Sequence, residues 1–180
     1  MGDIKDTEFL QEVFNYNKIE AVVHLAADSL VGESMEDPGK YYHNNLDNGI
    51  KLLDVMLENG VKNIVFSSTA AVYGEPEEVP IKEDHPIDPG NPYGESKYFF
   101  EKVMERYDKL FDLNYVSLRY FNAAGADPNG QIGEDHDPET HLIPLVLDTA
   151  LGKRDKLYIF GNDYETRDGT CVRDYIHVND

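Results

Sequence analysis

Two tyrosines in the segment NPYGESKYFFEK, residues 91–102, each have a lysine four residues later: Tyr93 with Lys97, and Tyr98 with Lys102. Side chains at i and i+4 share a helix face, and an ammonium beside a phenol favours the phenolate, so either pair is a candidate proton-transfer device. Position separates them. From Tyr93, steps of four and three reach Lys97, Phe100, Met104, Tyr107 and Phe111, an apolar stripe that a helix turns toward a core. A lysine on that stripe needs a partner or a task. Around Lys102 stand Glu95, Tyr98, Glu105, Arg106 and Lys109, a charged face. The pattern predicts Tyr93 and Lys97 as the acid/base pair and Tyr98–Lys102 as a surface pair. The helix pattern alone reads equally well as a first-turn tyrosine capping the core, with Lys97 reaching outward. Just upstream, FSSTAAVYG places Ser67, Ser68 and Thr69 at a strand end. Hydroxyls there can relay a proton or simply build a turn.

The elements that must carry these residues alternate. Phe9, Leu10, Val13 and Phe14 predict a helix over 6–16, and AVVHLA (21–26) reads as a buried strand. A longer helix follows Pro38, striped by Tyr42, Leu46, Ile50, Leu53 and Leu57 and stopped near Gly60. Strand NIVFS (63–67), a Pro/Gly-rich loop, a helix from Pro92 to about Phe111 and a strand YVSLRYF (115–121) come next. Strands alternating with helices predict a parallel, doubly wound α/β sheet with ligands at the strands' C-terminal ends. Beyond Gly125 the pattern loosens into a loop, a helix near 141–151, a short strand LYIF and a strand in the final IHVND, with Asp180 as a helix N-cap.

Composition narrows the partners. A formal charge of -19 repels nucleic acid and anionic lipid, no run of Lys or Arg offsets it, and no apolar stretch approaches membrane-spanning length. One cysteine, Cys171, allows no intrachain disulfide and no thiolate cluster, which fits a reducing, cytoplasmic setting. The N-terminus MGDIKD offers no apolar leader. No G-x-G-x-x-G or G-x-x-G-x-x-G occurs among the 14 glycines, so a dinucleotide-binding unit is expected to lack its opening segment here, and the region after Asp180 is expected to be missing as well. His136, Asp137, Glu139 and His141 invite a metal reading, but the loop composition and the lack of an i,i+4 histidine pair on a helix argue for no metal.

A strand ending in Ser-Ser-Thr followed by YGESK on a helix resembles the extended short-chain dehydrogenase/reductase superfamily. HLAADSLVGES (24–34), YYHNN (41–45), SLRYFNAAGA (117–126), GEDHDPETHLIP (133–144) and FGNDYETRDGTCVRDYIHV (160–178), in that order over nearly the whole chain, are similar to the UDP-glucose 4-epimerase family within it. The resemblance implies a Rossmann-like NAD-binding domain over 1–125 and part of a substrate-binding region over 126–180. It implies NAD as cofactor and interconversion of UDP-glucose and UDP-galactose, with Tyr93 as acid/base, Lys97 on the nicotinamide ribose, and Thr69 and Ser67 assisting. Asp3 and Ile4 resemble the adenine contacts, Leu25, Ala26, Ala27 and Asn44 the cofactor lining, and Tyr120 the residue beside the nicotinamide. Asn122, His141, Leu142, Phe160 and Arg173 resemble the substrate contacts, with Leu142 and Phe160 at uracil and Arg173 on the diphosphate. Without the resemblance, Arg173 reads as a partner for Asp174. Helices 38–59 and 92–111 correspond to those through which relatives form a homodimer.

Alternative readings are another sugar-nucleotide enzyme of the superfamily and a non-catalytic NAD-binding fragment. A 4,6-dehydratase uses an Asp-Glu pair after the strand-end hydroxyl, where Ala70 and Ala71 stand here. The 180-residue chain alone is expected neither to hold NAD tightly nor to turn over substrate. Whether N-acetylated sugars are accepted is not written in these residues.

Overall fold

The Asp6 carboxylate accepts the Phe9 N–H and starts α1 (Thr7–Tyr16), which buries Leu10 and Phe14. The computed structural model describes residues 2–180. After α1 come β1 (Val22–His24), α2 (Val31–Glu36), α3 (Pro38–Tyr41), a π-helical stretch Tyr42–Asp47 and α4 (Asn48–Glu58). Next are β2 (Asn63–Ser67), a short 3-10 turn Ala70–Tyr73, α5 (Pro92–Phe111) and β3 (Asn114–Leu118). The strands form one parallel sheet in the order β1-β2-β3, with Val22 opposite Ile64 and Ile64 opposite Tyr115. Parallel neighbours require crossovers, and the stretch from α2 to α4 and then α5 supply them, which is the alternation of a Rossmann-like sheet.

Period-two burial decides which face carries the core. Ile64 and Phe66 pack with Leu10, Phe14, Leu52, Leu53, Met56, Phe100 and Met104, so α1, α4 and α5 cover that face. The opposite face shows Val23, Val116 and Leu118 to solvent. These residues make up the first of two compact units, residues 1–120; the second is Phe121–Asp180. In the second, β4 (Asn122–Ala124) pairs in parallel with β5 (Tyr175–His177), and α6 (Leu142–Ala150) lies between them in sequence. No residue of 121–180 is buried.

Helix α5 spans the range expected of it, Pro92–Phe111, and is capped at both ends. Asn91 accepts the Gly94 N–H at 2.9 Å, Pro92 opens the first turn, and Asp112 ends the helix in a left-handed conformation (φ 57). Elsewhere the structure departs from the pattern. The helix after Pro38 is interrupted by the π stretch that holds Asn44 and Asn45. The third strand stops at Leu118, where the Tyr120 carbonyl instead accepts the Ala70 N–H at 3.0 Å. LYIF is not a strand. Ile159 and Phe160 are 76% and 87% exposed, because an apolar run becomes a strand only where a sheet edge pairs with it. Among the described residues no helix is long and apolar enough to cross a membrane.

Candidate active site

The end of β2 and the first turn of α5 meet through a glycine. A Cβ on Gly94 would stand 2.8 Å from the Ala71 carbonyl oxygen, so only glycine lets α5 seat against the turn after Thr69. Tyr93 thereby comes beside Thr69, near enough for that hydroxyl to lower the phenol's pKa, and the same hydroxyl accepts the Ala71 N–H at 3.1 Å. Lys97, one turn on, is 3% exposed and donates from Nζ to the Ser67 carbonyl at 2.8 Å. That ammonium lies 4.9 Å from the centre of the Phe66 ring and 5.9 Å from the centre of the Tyr93 ring. The four residues expected at the chemical centre, Tyr93, Lys97, Thr69 and Ser67, are together.

The electrostatics differ from the simplest expectation. Burial pushes the Lys97 ammonium down to about 8. Burial also pushes the Tyr93 phenol above its ordinary value of 10.0, the hydrogen bond with Thr69 opposing and Tyr120 reinforcing the rise. Desolvation is therefore the largest influence on Tyr93 in the protein alone. Beside them, His24 lies between Phe66 and Phe100, with ring centres 5.7 Å from each, and is held down to about 4 by burial and then by Lys97. It is neutral at physiological pH.

Two polar connections here have no signature in the tyrosine–lysine spacing. Asn45, 2% exposed on the π stretch, accepts the Asp28 N–H at 2.8 Å and donates to the Asp28 carbonyl at 3.0 Å and to Ser96 Oγ at 3.1 Å. Ser96 Oγ donates to the Tyr93 carbonyl at 2.8 Å, so Asn45 ties the loop after β1 to the first turn of α5. Glu101 is buried and held by Arg119, which donates Nε to both carboxylate oxygens at 3.1 and 3.2 Å and Nη2 to Oε2 at 2.6 Å. Ser68 Oγ donates to the same carboxylate, and Arg119 Nη1 donates to Tyr73 Oη at 3.0 Å. A glutamate four residues after Lys97 on an inward stripe was the available signal for the second connection. An asparagine in YYHNN carries no comparable one.

The remaining expected residues fall in separate places. Leu25, Ala26 and Ala27 form the loop after β1, and Asn44 donates to Asp28 Oδ2 at 2.9 Å beside it. Asp3 and Ile4 lie in the turn before α1, where Asp3 pairs with Lys5 at 3.0 Å. Tyr120 follows β3 and bonds the Ala70–Tyr73 turn through its carbonyl. In the second unit, Asn122 on β4 donates to the Asp174 carbonyl at 2.8 Å, His141 precedes α6, and Leu142 opens it. Phe160 and Arg173 are exposed, and Arg173 donates to the Val172 carbonyl at 3.1 Å rather than pairing with Asp174. The ligand atoms of Glu134, His136, Glu139 and His141 lie within 4.8 Å of one another on the surface. Each imidazole pairs with a neighbouring carboxylate, His136 with Glu134 and His141 with Glu139.

Comparison with known proteins follows the same geometry. The UDP-glucose 4-epimerases of Halalkalibacterium halodurans and Lacticaseibacillus casei are each 58% identical over 179 residues, covering 99% of this chain and 54% of theirs. The crystal structure of UDP-glucose 4-epimerase from Brucella ovis in complex with NAD is 50% identical, with a TM-score of 0.94 over 98% of this chain and 55% of that one. That from Bifidobacterium longum in complex with NAD+ and UDP is 44% identical, with a TM-score of 0.93 over 98% and 54%. The chain spans about half the length of the curated relatives it matches. The sequence profile described as the NAD dependent epimerase/dehydratase family matches residues 1–180, the whole sequence, and the chain belongs to that family.

Proposed function

We propose that the protein interconverts UDP-glucose and UDP-galactose by transient oxidation at hexose C4. The observation that carries the reading is the buried Lys97 ammonium beside Tyr93 at the end of β2, with one of its three N–H groups engaged by the Ser67 carbonyl. A buried ammonium with donors to spare fits a polar ligand carrying paired hydroxyls, such as the ribose of a nicotinamide cofactor. Leu25, Ala26, Ala27, Asn44 and Tyr120 would line that cofactor, and Asp3 and Ile4 would meet its adenine. Bound NAD would supply reversible hydride acceptance from C4.

Tyr93 would take the proton of the hexose 4-hydroxyl during oxidation at C4 and return it to the same oxygen on reduction. A phenol raised by burial is a poor base, so its activation requires nearby cations. Lys97 is one such cation below about pH 8. Thr69, beside the phenol, and Ser67, whose carbonyl anchors the lysine, orient the pair. Asn122, His141, Leu142, Phe160 and Arg173 are the proposed sugar-nucleotide contacts. We further propose a homodimer through residues 38–59 and α5, where Phe99 and Leu110 of α5 are exposed, and a cytoplasmic setting, which suits the exposed thiol of Cys171.

The test is a pair of variants of the complete gene product in a coupled epimerase assay. Tyr93→Phe removes the acid/base and should lower the rate by about 100- to 10,000-fold. Tyr98→Phe, on the outer face of the same helix, should stay close to wild type. Equal losses from the two would sink the assignment.

A further inference from the structure

Lys97 and Glu101 stand one turn apart on α5, are oppositely charged and are both buried. An i,i+4 pair ordinarily forms in that arrangement. Here it does not. Among the described residues Lys97 has no ion-pair partner and donates only to the Ser67 carbonyl. Glu101 is turned away: Arg119 occupies both of its oxygens, Ser68 adds a hydroxyl, and the guanidinium is fixed in turn by the Tyr73 hydroxyl and lies 5.1 Å from the centre of the Tyr73 ring. The planar two-point grip is one that a guanidinium makes and an ammonium does not.

The unmade pair matters chemically. A carboxylate bonded to Lys97 would cancel the charge that favours the Tyr93 phenolate and would engage the N–H groups left for a ligand. We propose that Arg119 is a positioning residue for the Tyr93–Lys97 pair: by holding Glu101 on both oxygens it withholds that carboxylate from Lys97. Ser68 couples the same carboxylate to the strand end, between the Ser67 carbonyl that holds the lysine and the Thr69 hydroxyl that meets the phenol. The proposal rests on the reading of Tyr93 as acid/base.

The experiment is a pH profile of kcat/KM for UDP-galactose on the complete gene product. Arg119→Met frees Glu101 to take Lys97, so the acid limb should move up by about one pH unit and the rate at pH 7 should fall about tenfold. The double variant Arg119→Met/Glu101→Gln has no carboxylate to divert and should return the limb to within roughly 0.3 units of wild type. A purely packing role for Arg119 would lower activity in both without moving the limb, and that result overturns the proposal. If Arg119→Met does not fold, Arg119→Lys decides the question, since a one-point grip should still shift the limb upward and no shift overturns the idea. Tyr93→Phe is measured alongside. Retained activity there sinks the acid/base reading itself, whereas loss of activity with an unmoved Arg119→Met limb sinks only the role given to Arg119.

Discussion

Residues 1–120 and 121–180 have opposite economies of structure. The first unit holds every buried side chain of the described chain, among them Phe66, Phe100, Met104 and Leu53. The second holds none, and its order rests on one two-stranded ladder, one helix and local turn hydrogen bonds such as Thr166 to the Thr170 carbonyl at 2.6 Å. The difference separates two tasks. Proton-transfer groups need fixed distances and a dry setting, which the core around α5 would give to Tyr93 and Lys97 in the role proposed for them. The residues resembling sugar-nucleotide contacts lie where few neighbours restrain them, and such regions open at low free-energy cost.

Cutting the core should break this contrast most visibly. Phe100→Ala removes a fully buried ring set 4.7 Å, centre to centre, from Phe66, and should destabilise the first unit by about 3 to 5 kcal/mol, read by urea unfolding.

Lys97→Met should go the other way. The lysine's folded pKa of about 8 lies below its ordinary 10.5, so below pH 8 both states are protonated and the folded state bears the whole penalty of a buried charge. Between 8 and 10.5 the unfolded chain binds more protons, and wild-type stability gains with rising pH. The variant should therefore be more stable at pH 7 by roughly 1 to 2 kcal/mol, allowing for the lost Ser67 contact, with the gain fading toward pH 10. A less stable Lys97→Met at pH 7 would count against desolvation as the dominant effect. Its residual epimerase activity should be low and displaced to higher pH.

Asn91→Ala removes the α5 cap and should cost about 1 kcal/mol, with Asn91→Ser restoring most of it. Phe160→Ala, at 87% exposure in the second unit, should change stability by less than about 0.5 kcal/mol. A large effect from Phe160→Ala would mean that the second unit has a core unlike the one described.

The sequence was readable where local rules agree with tertiary packing. Helix α5 was legible over Pro92–Phe111 because a first-turn proline and an apolar stripe point the same way. Lys97 was legible for the opposite reason: it violates that stripe. The Glu101–Arg119 and Asn45–Ser96 contacts join residues 18 and 51 positions apart, and no periodicity records such distances. LYIF failed because its strand pattern specifies a propensity but not a neighbour, and the neighbour decides.

The uncovered sheet face at Val23, Val116 and Leu118 and, in larger part, the coreless residues 121–180 have a calorimetric consequence. The folded chain keeps 12584 Å² of accessible surface, against the roughly 8,800 Å² usual for a monomer of its 20.4 kDa mass. Surface already wet when folded cannot be newly hydrated on unfolding. The heat-capacity increment and the urea slope of the 180-residue chain should both fall about a fifth short of the values its length would set. Its stability should accordingly vary less steeply with temperature than that of an ordinary domain of the same size.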